Sequence, residues 1–244
     1  MLKSDHMLIG KDFDKIHVTL FNLDICEPNV LITDTLMAGA CLFFAYTLYA
    51  HRKDSEFHHF WYLFFLIFGV SSFAGGLGHG LYTYFGPWGK LFTWITGVYS
   101  IYLIEKAMIS LVKDPTIKRR YTLFSFLKLI VVYLVFVYIL LFLPIYTKPA
   151  LPFLPIAINT IVGVVLSAGL LGYQFSKTIQ PEMKYIYQGV LAMLPSAVFF
   201  LGKINIHPWI DKNDASHFFI TAGLFLFFKG VKAVQLSASN HQAA

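Results

Sequence analysis

Long apolar runs separated by short polar linkers dominate the chain from residue 30 onward. Seven runs have this character, and they cover residues 30–49, 57–84, 91–112, 122–146, 151–174, 184–201 and 216–236. A membrane-spanning helix needs about 20 mostly apolar residues, and each run comes close to that length. The pattern predicts an all-α fold, an integral membrane bundle of seven transmembrane helices. Residues 1–29 would be an extramembrane segment, residues 30–236 the membrane domain, and residues 237–244 a tail.

The composition supports this class of protein. The chain is 57% hydrophobic and 13% charged, whereas a soluble domain carries about 25% charged residues. This excludes a soluble enzyme, a nucleic-acid-binding module and a disordered chain. We therefore expect membrane lipids as partners and no nucleic acid, despite the net charge of +6. The acidic residues that precede the first apolar run argue against a cleaved signal peptide.

The distribution of basic residues predicts the orientation. The linkers after the first, third and fifth runs contain seven of the eleven basic residues found in linkers: Arg52, Lys53, Lys113, Lys118, Arg119, Arg120 and Lys177. Cytoplasmic loops carry the excess of Lys and Arg in membrane proteins. The N-terminus is therefore predicted to lie outside and the tail in the cytoplasm. The expected membrane is the inner membrane of a bacterium, or the endoplasmic reticulum or Golgi of a eukaryote.

Three ionisable residues fall at a common depth in the outer half of three predicted spans. They are Asp34, His79 and His217. An ionisable residue inside a span costs about 2.5 kcal/mol or more, so each one is by default a functional hypothesis. We expect the three side chains to converge. Glu105 lies in the inner half and is expected to pair separately, with Lys106 or a loop cation.

The spacing of polar residues places them on shared helix faces. Ser72 and His79 are seven residues apart, which is two helical turns, and the glycines between them allow a close helix approach. In the seventh run, Asn213, His217 and Thr221 recur every fourth residue, and Asp214 lies three residues before His217. In the fourth run, Lys128 is expected to extend its ammonium toward the inner interface.

Two functions suit the two histidines. Imidazoles are common zinc ligands, and Asp34, Asp214 or His207 could supply the third ligand that a catalytic zinc requires. The alternative is a buried hydrogen-bonded network of His79, His217 and carboxylates that holds the helices together. The residues alone leave both open.

Three short stretches of this chain resemble the seven-helix CREST superfamily, which includes alkaline ceramidases, Per1-like proteins and progestin/adipoQ receptors. The seventh run reads N-D-A-S-H-F-F-I-T-A-G, similar to H-x-x-x-H-x-x-x-T-G, with Asn213 in place of the first histidine. The second run reads S-S-F-A-G-G-L-G-H-G and contains the Ser and His of the family. The stretch D-I-C-E-P-N at residues 24–29 resembles D-W-C-E-x-N. The chain looks closest to an uncharacterised, divergent branch of this group.

The resemblance implies a set of site residues. Zinc would be held by His79 and His217, with Ser72 near the bound water. From depth and spacing, Asp34 or Asp214 is expected as a third ligand or as a group that supports the site, with Asn213 and Thr221 beside the ligands. A second metal, resembling calcium, would be held by Asp24, the carbonyl of Ile25, Glu27 and Asn29. For residues 24–29, the residues alone also suggest an exposed turn before the first helix.

The leading hypothesis is therefore a membrane-embedded, metal-dependent hydrolase of a lipid amide or ester, in which a metal lowers the pKa of its bound water. The competing hypothesis is a non-catalytic, ligand-binding or receptor-like seven-helix protein whose His/Asp cluster is structural. Transport is a third, weaker option, because no inverted repeat is visible.

Overall fold

The structure is a computed structural model, and it describes residue 10, residues 14–148 and residues 150–235. The predicted tail at residues 237–244 lies outside this part of the chain. Most of the described residues are helical, as the sequence predicts. The long helices of the described part are α1 Pro28–Leu48, α2 Glu56–Gly80, α3 Leu91–Ser110, α4 Pro115–Phe142, α5 Phe153–Thr178, α6 Lys184–Leu201 and α7 Lys212–Ala233.

Five of these helices, namely α1, α2, α4, α5 and α6, are long and apolar enough to cross a membrane by length and composition. The other two are more polar, with Glu105 and Lys106 in α3 and Asp214 and His217 in α7. The fold is thus compatible with a multi-pass membrane protein.

Helix α4 begins earlier than its apolar run, at Pro115 rather than at residue 122. The Asp114 carboxylate caps the helix, because it accepts hydrogen bonds from the backbone N–H groups of Thr116 and Ile117 at 2.8 and 2.9 Å. Proline is also favoured in the first turn of a helix, where its missing N–H has no partner to lose. The first two turns of α4 therefore carry the basic residues of this linker.

An aromatic core joins α2 to its neighbours. The side chains of Trp61, Phe64 and Phe65 on α2 are buried, and Trp61 lies 5.2 Å from Phe227 of α7, measured between ring centroids. Helices α1 and α2, α2 and α3, and α6 and α7 pack along each other, and α7 returns to α1. The start of α1, the end of α2 and the start of α7 therefore lie close together.

A β-hairpin precedes α1. Strand β1 (His17–Leu20) pairs antiparallel with strand β2 (Leu23–Cys26). The two turn residues between them, Phe21 and Asn22, both have positive φ, as the favoured two-residue hairpin turn requires. Residues 24–26 therefore belong to a strand, not to an exposed turn. The end of the bundle that carries this hairpin is called the hairpin end below.

A polar cluster lies inside the bundle between α3, α4 and α5. Lys128 approaches Glu105 at 2.6 Å and also donates to the amide oxygen of Asn159, while Ser125 donates to Glu105. The expectations that Lys128 extends to the inner interface and that Glu105 pairs with Lys106 or a loop cation are wrong. Pairing the two buried charges with each other leaves neither one alone in the apolar interior.

Helix α5 contains a π-helical segment at Val165–Leu171. Its backbone hydrogen bonds span five residues instead of four. Such segments are rare in proteins, and those that occur often lie at functional sites. The segment follows Asn159 and Gly163, which face the Glu105–Lys128 pair.

Candidate functional site

Helices α1 and α2 approach closely at the hairpin end because α2 presents glycines there. A Cβ atom built on Gly76 would lie 3.0 Å from the Cβ of Asp34, and one on Gly75 would lie 3.5 Å from its Oδ2. Asp34 is buried against this glycine face. The glycines thus allow a carboxylate of α1 to sit between two helices.

His217 of α7 faces α1. Its Nε2 is 3.5 Å from Oδ1 of Asp34, and its Nδ1 is 2.9 Å from the hydroxyl of Thr33. The same hydroxyl is 3.2 Å from Oδ1 of Asp214. Asp214 in turn belongs to the capping box that begins α7, together with Asp211. One imidazole therefore links α1 to α7 between two carboxylates.

His79 of α2 has hydrogen-bond partners of its own. Its Nδ1 is 2.7 Å from Oε2 of Glu27, and Nζ of Lys90 lies 3.0 Å from its Nε2 and 3.2 Å from its Nδ1. Lys15 forms an ion pair with the other oxygen of Glu27. A carboxylate can only accept and an ammonium can only donate, so these partners assign a neutral ring with the proton on Nδ1. Both nitrogens of His79 are then engaged.

The charges around His79 shift the pKa values of Glu27 and Lys90, which both lie outside the long helices. Burial raises the pKa of Glu27, but the hydrogen bonds and charges of His79 and Lys15 outweigh it and hold that pKa well below its ordinary value. Burial lowers the pKa of Lys90 to about 8, although the charge of Glu27 opposes this shift. Glu27 is therefore the anionic centre that stabilises two cations at the hairpin end.

The backbone of Glu27 is also unusual. Its φ of 47° and ψ of 56° place a non-glycine residue in the left-handed region. Such a conformation costs about 1–3 kcal/mol and persists only where the surroundings impose it. Here the bend between β2 and α1 turns the carboxylate toward His79.

The predicted calcium ligands do not converge. Asp24 accepts from Thr83 at 2.9 Å and pairs with His17 at 2.9 Å, and these hydrogen bonds, Thr83 first, lower the pKa of Asp24. Its backbone N–H donates to the hydroxyl of Tyr84. Asn29 donates to the carbonyl of Trp209.

A small cavity of about 30 Å³ lies under the hairpin instead. It is large enough for a water-sized group. Glu27 and Asn29 line it together with Lys15, Asp211 and Asp214. Asp24 and Ile25 do not line it.

Four other predicted residues form no hydrogen bond with His79 or His217 among the described residues. Ser72 is buried, but among the described residues it forms no hydrogen bond with His79 or His217. Asn213 donates to Asp211 in the first turn of α7 at 3.0 Å, and Thr221 lies half-buried one turn beyond His217. His207 accepts from the backbone N–H of Trp209 within its loop.

These arrangements decide how a metal would fit. Within the described part of the chain, no group of three or more His, Cys, Asp or Glu side chains is arranged to hold a metal ion. The Nε2 of His79 accepts from Lys90, and a metal there would also meet the ammonium charge. As arranged, the donor sets fit neither zinc nor calcium, and both metals stay predictions.

Sequence reasoning missed Thr33, Lys15 and Lys90. Lys90 is the single cation in its linker and follows His79 by eleven residues, but no local pattern marks it as a partner of the imidazole. Thr33 precedes Asp34 directly, and its role depends on α7, which no local pattern reveals. The pairing of Glu27 with His79 depends on the left-handed backbone at Glu27.

Comparison with known proteins yields one family. No curated protein and no solved structure matches the chain. The family described as "Family of unknown function (DUF6962)" matches residues 29–236, a range that includes almost all of the seven long helices. The chain therefore belongs to this family.

Proposed function

We propose that the chain is a seven-span, non-catalytic membrane protein of the ligand-binding or receptor-like type. Its polar site would couple the outer hairpin to α1, α2 and α7. The observation that carries this proposal is the engagement of both nitrogens of His79, by Glu27 at 2.7 Å and by Lys90 at 3.0 Å. An imidazole saturated in this way serves as a structural link.

The cavity under the hairpin indicates what the protein would bind. The carboxylates of Asp14, Glu27, Asp211 and Asp214 line it against the single ammonium of Lys15. An excess of negative charge and a volume of about 30 Å³ suit the amine group of a small ligand or of a partner side chain. Such a group would compete with Lys15 for Glu27. A ligand that binds one arrangement of the hairpin more tightly than another would shift the hairpin toward it.

The proposed topology places the hairpin outside and the C-terminus in the cytoplasm. It rests on the excess of Lys and Arg at the opposite end of the bundle. A phosphatase fused after residue 235 should be inactive in intact bacterial cells, and a fluorescent protein at the same place should fluoresce. The reverse pair of results, active phosphatase and no fluorescence, would contradict the topology.

A metal-dependent hydrolase of a lipid amide or ester, as the CREST resemblance implies, is the second candidate. The observation that favours it is the position of Asp34, 3.5 Å from His217, with Asp214 one hydroxyl away through Thr33. This candidate requires Lys90 to leave His79, because its ammonium now lies 3.0 Å from Nε2, the nitrogen that would bind a metal.

Metal analysis separates the two candidates. The non-catalytic proposal predicts that the gently purified wild type carries less than about one-tenth of an equivalent of any transition metal, where a zinc site would normally retain its ion. His217→Ala should then lower the melting temperature without changing metal content. His59→Ala is the matched control, since His59 is exposed. Stoichiometric zinc that disappears in His217→Ala but not in His59→Ala would establish the hydrolase candidate instead.

A further inference from the structure

An open groove lies between α3 and α4 at the end of the bundle opposite the hairpin. Its volume is about 580 Å³, within the range of about 300–1,000 Å³ that small-molecule sites occupy. Lys118 and Arg119 stand on the α4 side of the groove, with Leu123 and Phe126 further along the same helix and Tyr102 on α3. The groove is therefore basic at one end and apolar along the rest.

The two cations are only partly compensated. Nζ of Lys118 is 3.5 Å from Oε2 of Glu56 and 3.3 Å from the carbonyl of Ser110. Arg119 is exposed and forms no hydrogen bond or ion pair with any described residue. Of the two positive charges that face the groove, only Lys118 has a carboxylate partner among the described residues, Glu56 at 3.5 Å.

The position of these cations on α4 is unfavourable for the helix itself. They lie in the second turn, after Pro115 and close to the positive end of the helix dipole, where acidic residues are preferred to basic ones. Of the nearby carboxylates, that of Asp114 already accepts two backbone hydrogen bonds as the helix cap. A local conflict of this kind is expected where a residue serves binding instead of stability. An anion bound beside Lys118 and Arg119 would relieve it.

The apolar part of the groove suits a hydrocarbon chain. Leu123 is 55% exposed and Phe126 is 47% exposed. From Arg119 to Phe126 the helix rises about 10 Å, at about 1.5 Å per residue. A ligand that fills this length must be anionic at one end and apolar for the rest. That description fits a phospholipid with an anionic headgroup.

We propose that the α3–α4 groove is a specific site for one anionic phospholipid, with its phosphate on Lys118 and Arg119 and an acyl chain along Tyr102, Leu123 and Phe126. In the topology proposed above, this end faces the cytoplasmic leaflet, where anionic lipids are enriched. The site is independent of the hairpin end and of any chemistry there.

The test is lipid retention in detergent, measured by native mass spectrometry. The wild type should retain one phosphatidylglycerol in preference to phosphatidylcholine with the same chains. Lys118→Gln with Arg119→Gln should weaken this retention about 25-fold, which corresponds to about 1 kcal/mol for each basic residue. Arg120→Gln is the matched control, because Arg120 is exposed on the same helix but does not line the groove.

A second pair of variants tests the groove without changing charge. Leu123→Trp fills the apolar part and should also weaken retention of phosphatidylglycerol at least tenfold, whereas Phe124→Trp, at an exposed neighbouring position outside the groove, should not. Equal losses in Arg120→Gln and the double variant would overturn the proposal in favour of diffuse attraction to the loop. An unchanged Leu123→Trp would overturn the groove as the site. Displacement of the lipid by glycerol phosphate alone would assign the site to a soluble phosphate and also overturn it.

Discussion

Glu27→Gln should lower the free energy of unfolding by about 3 kcal/mol or more, because it removes a buried negative charge that lies against Lys15, His79 and Lys90. Glu27 is only 7% exposed, so water cannot replace the lost interaction. Breaking a buried ion pair from one side typically costs about 3–5 kcal/mol. The matching fall in melting temperature is about 6–12 °C for a chain of this size. Thermal unfolding in detergent micelles measures it.

The control for Glu27 is an exposed pair on the same protein. Asp54 lies 3.0 Å from His51, and both side chains are about half exposed. Exposed pairs contribute about 0–1 kcal/mol, so Asp54→Asn should shift the melting temperature by at most about 4 °C. Equal shifts in the two variants would show that the Glu27 network does not hold the hairpin to the bundle.

Lys128→Met should destabilise the protein by a comparable amount, about 3–5 kcal/mol, since it leaves the buried Glu105 without its cationic partner between α3, α4 and α5. Glu105→Gln together with Lys128→Met should recover most of that loss, because neither charge then remains buried. Only this double variant isolates the interaction between the two residues. The quantity to compare is the melting temperature of the wild type, both single variants and the double variant.

A different order of melting temperatures would contradict the coupling of Glu105 and Lys128. If the double variant unfolds at a temperature no higher than Lys128→Met, the pair does not act as a unit. Asn159 would then be the residue to examine, because its amide nitrogen is buried and has no hydrogen-bond partner among the described residues.

The helices could be predicted from the sequence, since their signal is the length of each apolar run. Helix α6 has the predicted bounds, and α4 differs because a proline and a capping aspartate extend it past the apolar residues. For the candidate site, the sequence predicts only that a set of ionisable residues lies at one depth. The structure brings Asp34 and His217 together, while His79 turns to Glu27.

The partners of each ionisable side chain could not be predicted, for a physical reason. A lysine on a helix reaches several Å in either direction, so Lys128 can extend to the interface or inward without any change in the local pattern. Its choice depends on Glu105 and Asn159, which belong to other helices. In the same way, Glu27 reaches His79 only because its backbone is left-handed.

The π-helical segment at Val165–Leu171 lets α5 hold one residue more than a regular helix would over the same turns. A residue added to a regular α-helix would turn everything beyond it by about 100° around the helix axis. The wider π-helical turn absorbs that rotation, so Gly172 beyond it still lies against Ile186 and Tyr187 of α6. Position-by-position equivalence with a relative that lacks the added residue would therefore shift by one within this segment, while both helices present the same faces to their neighbours.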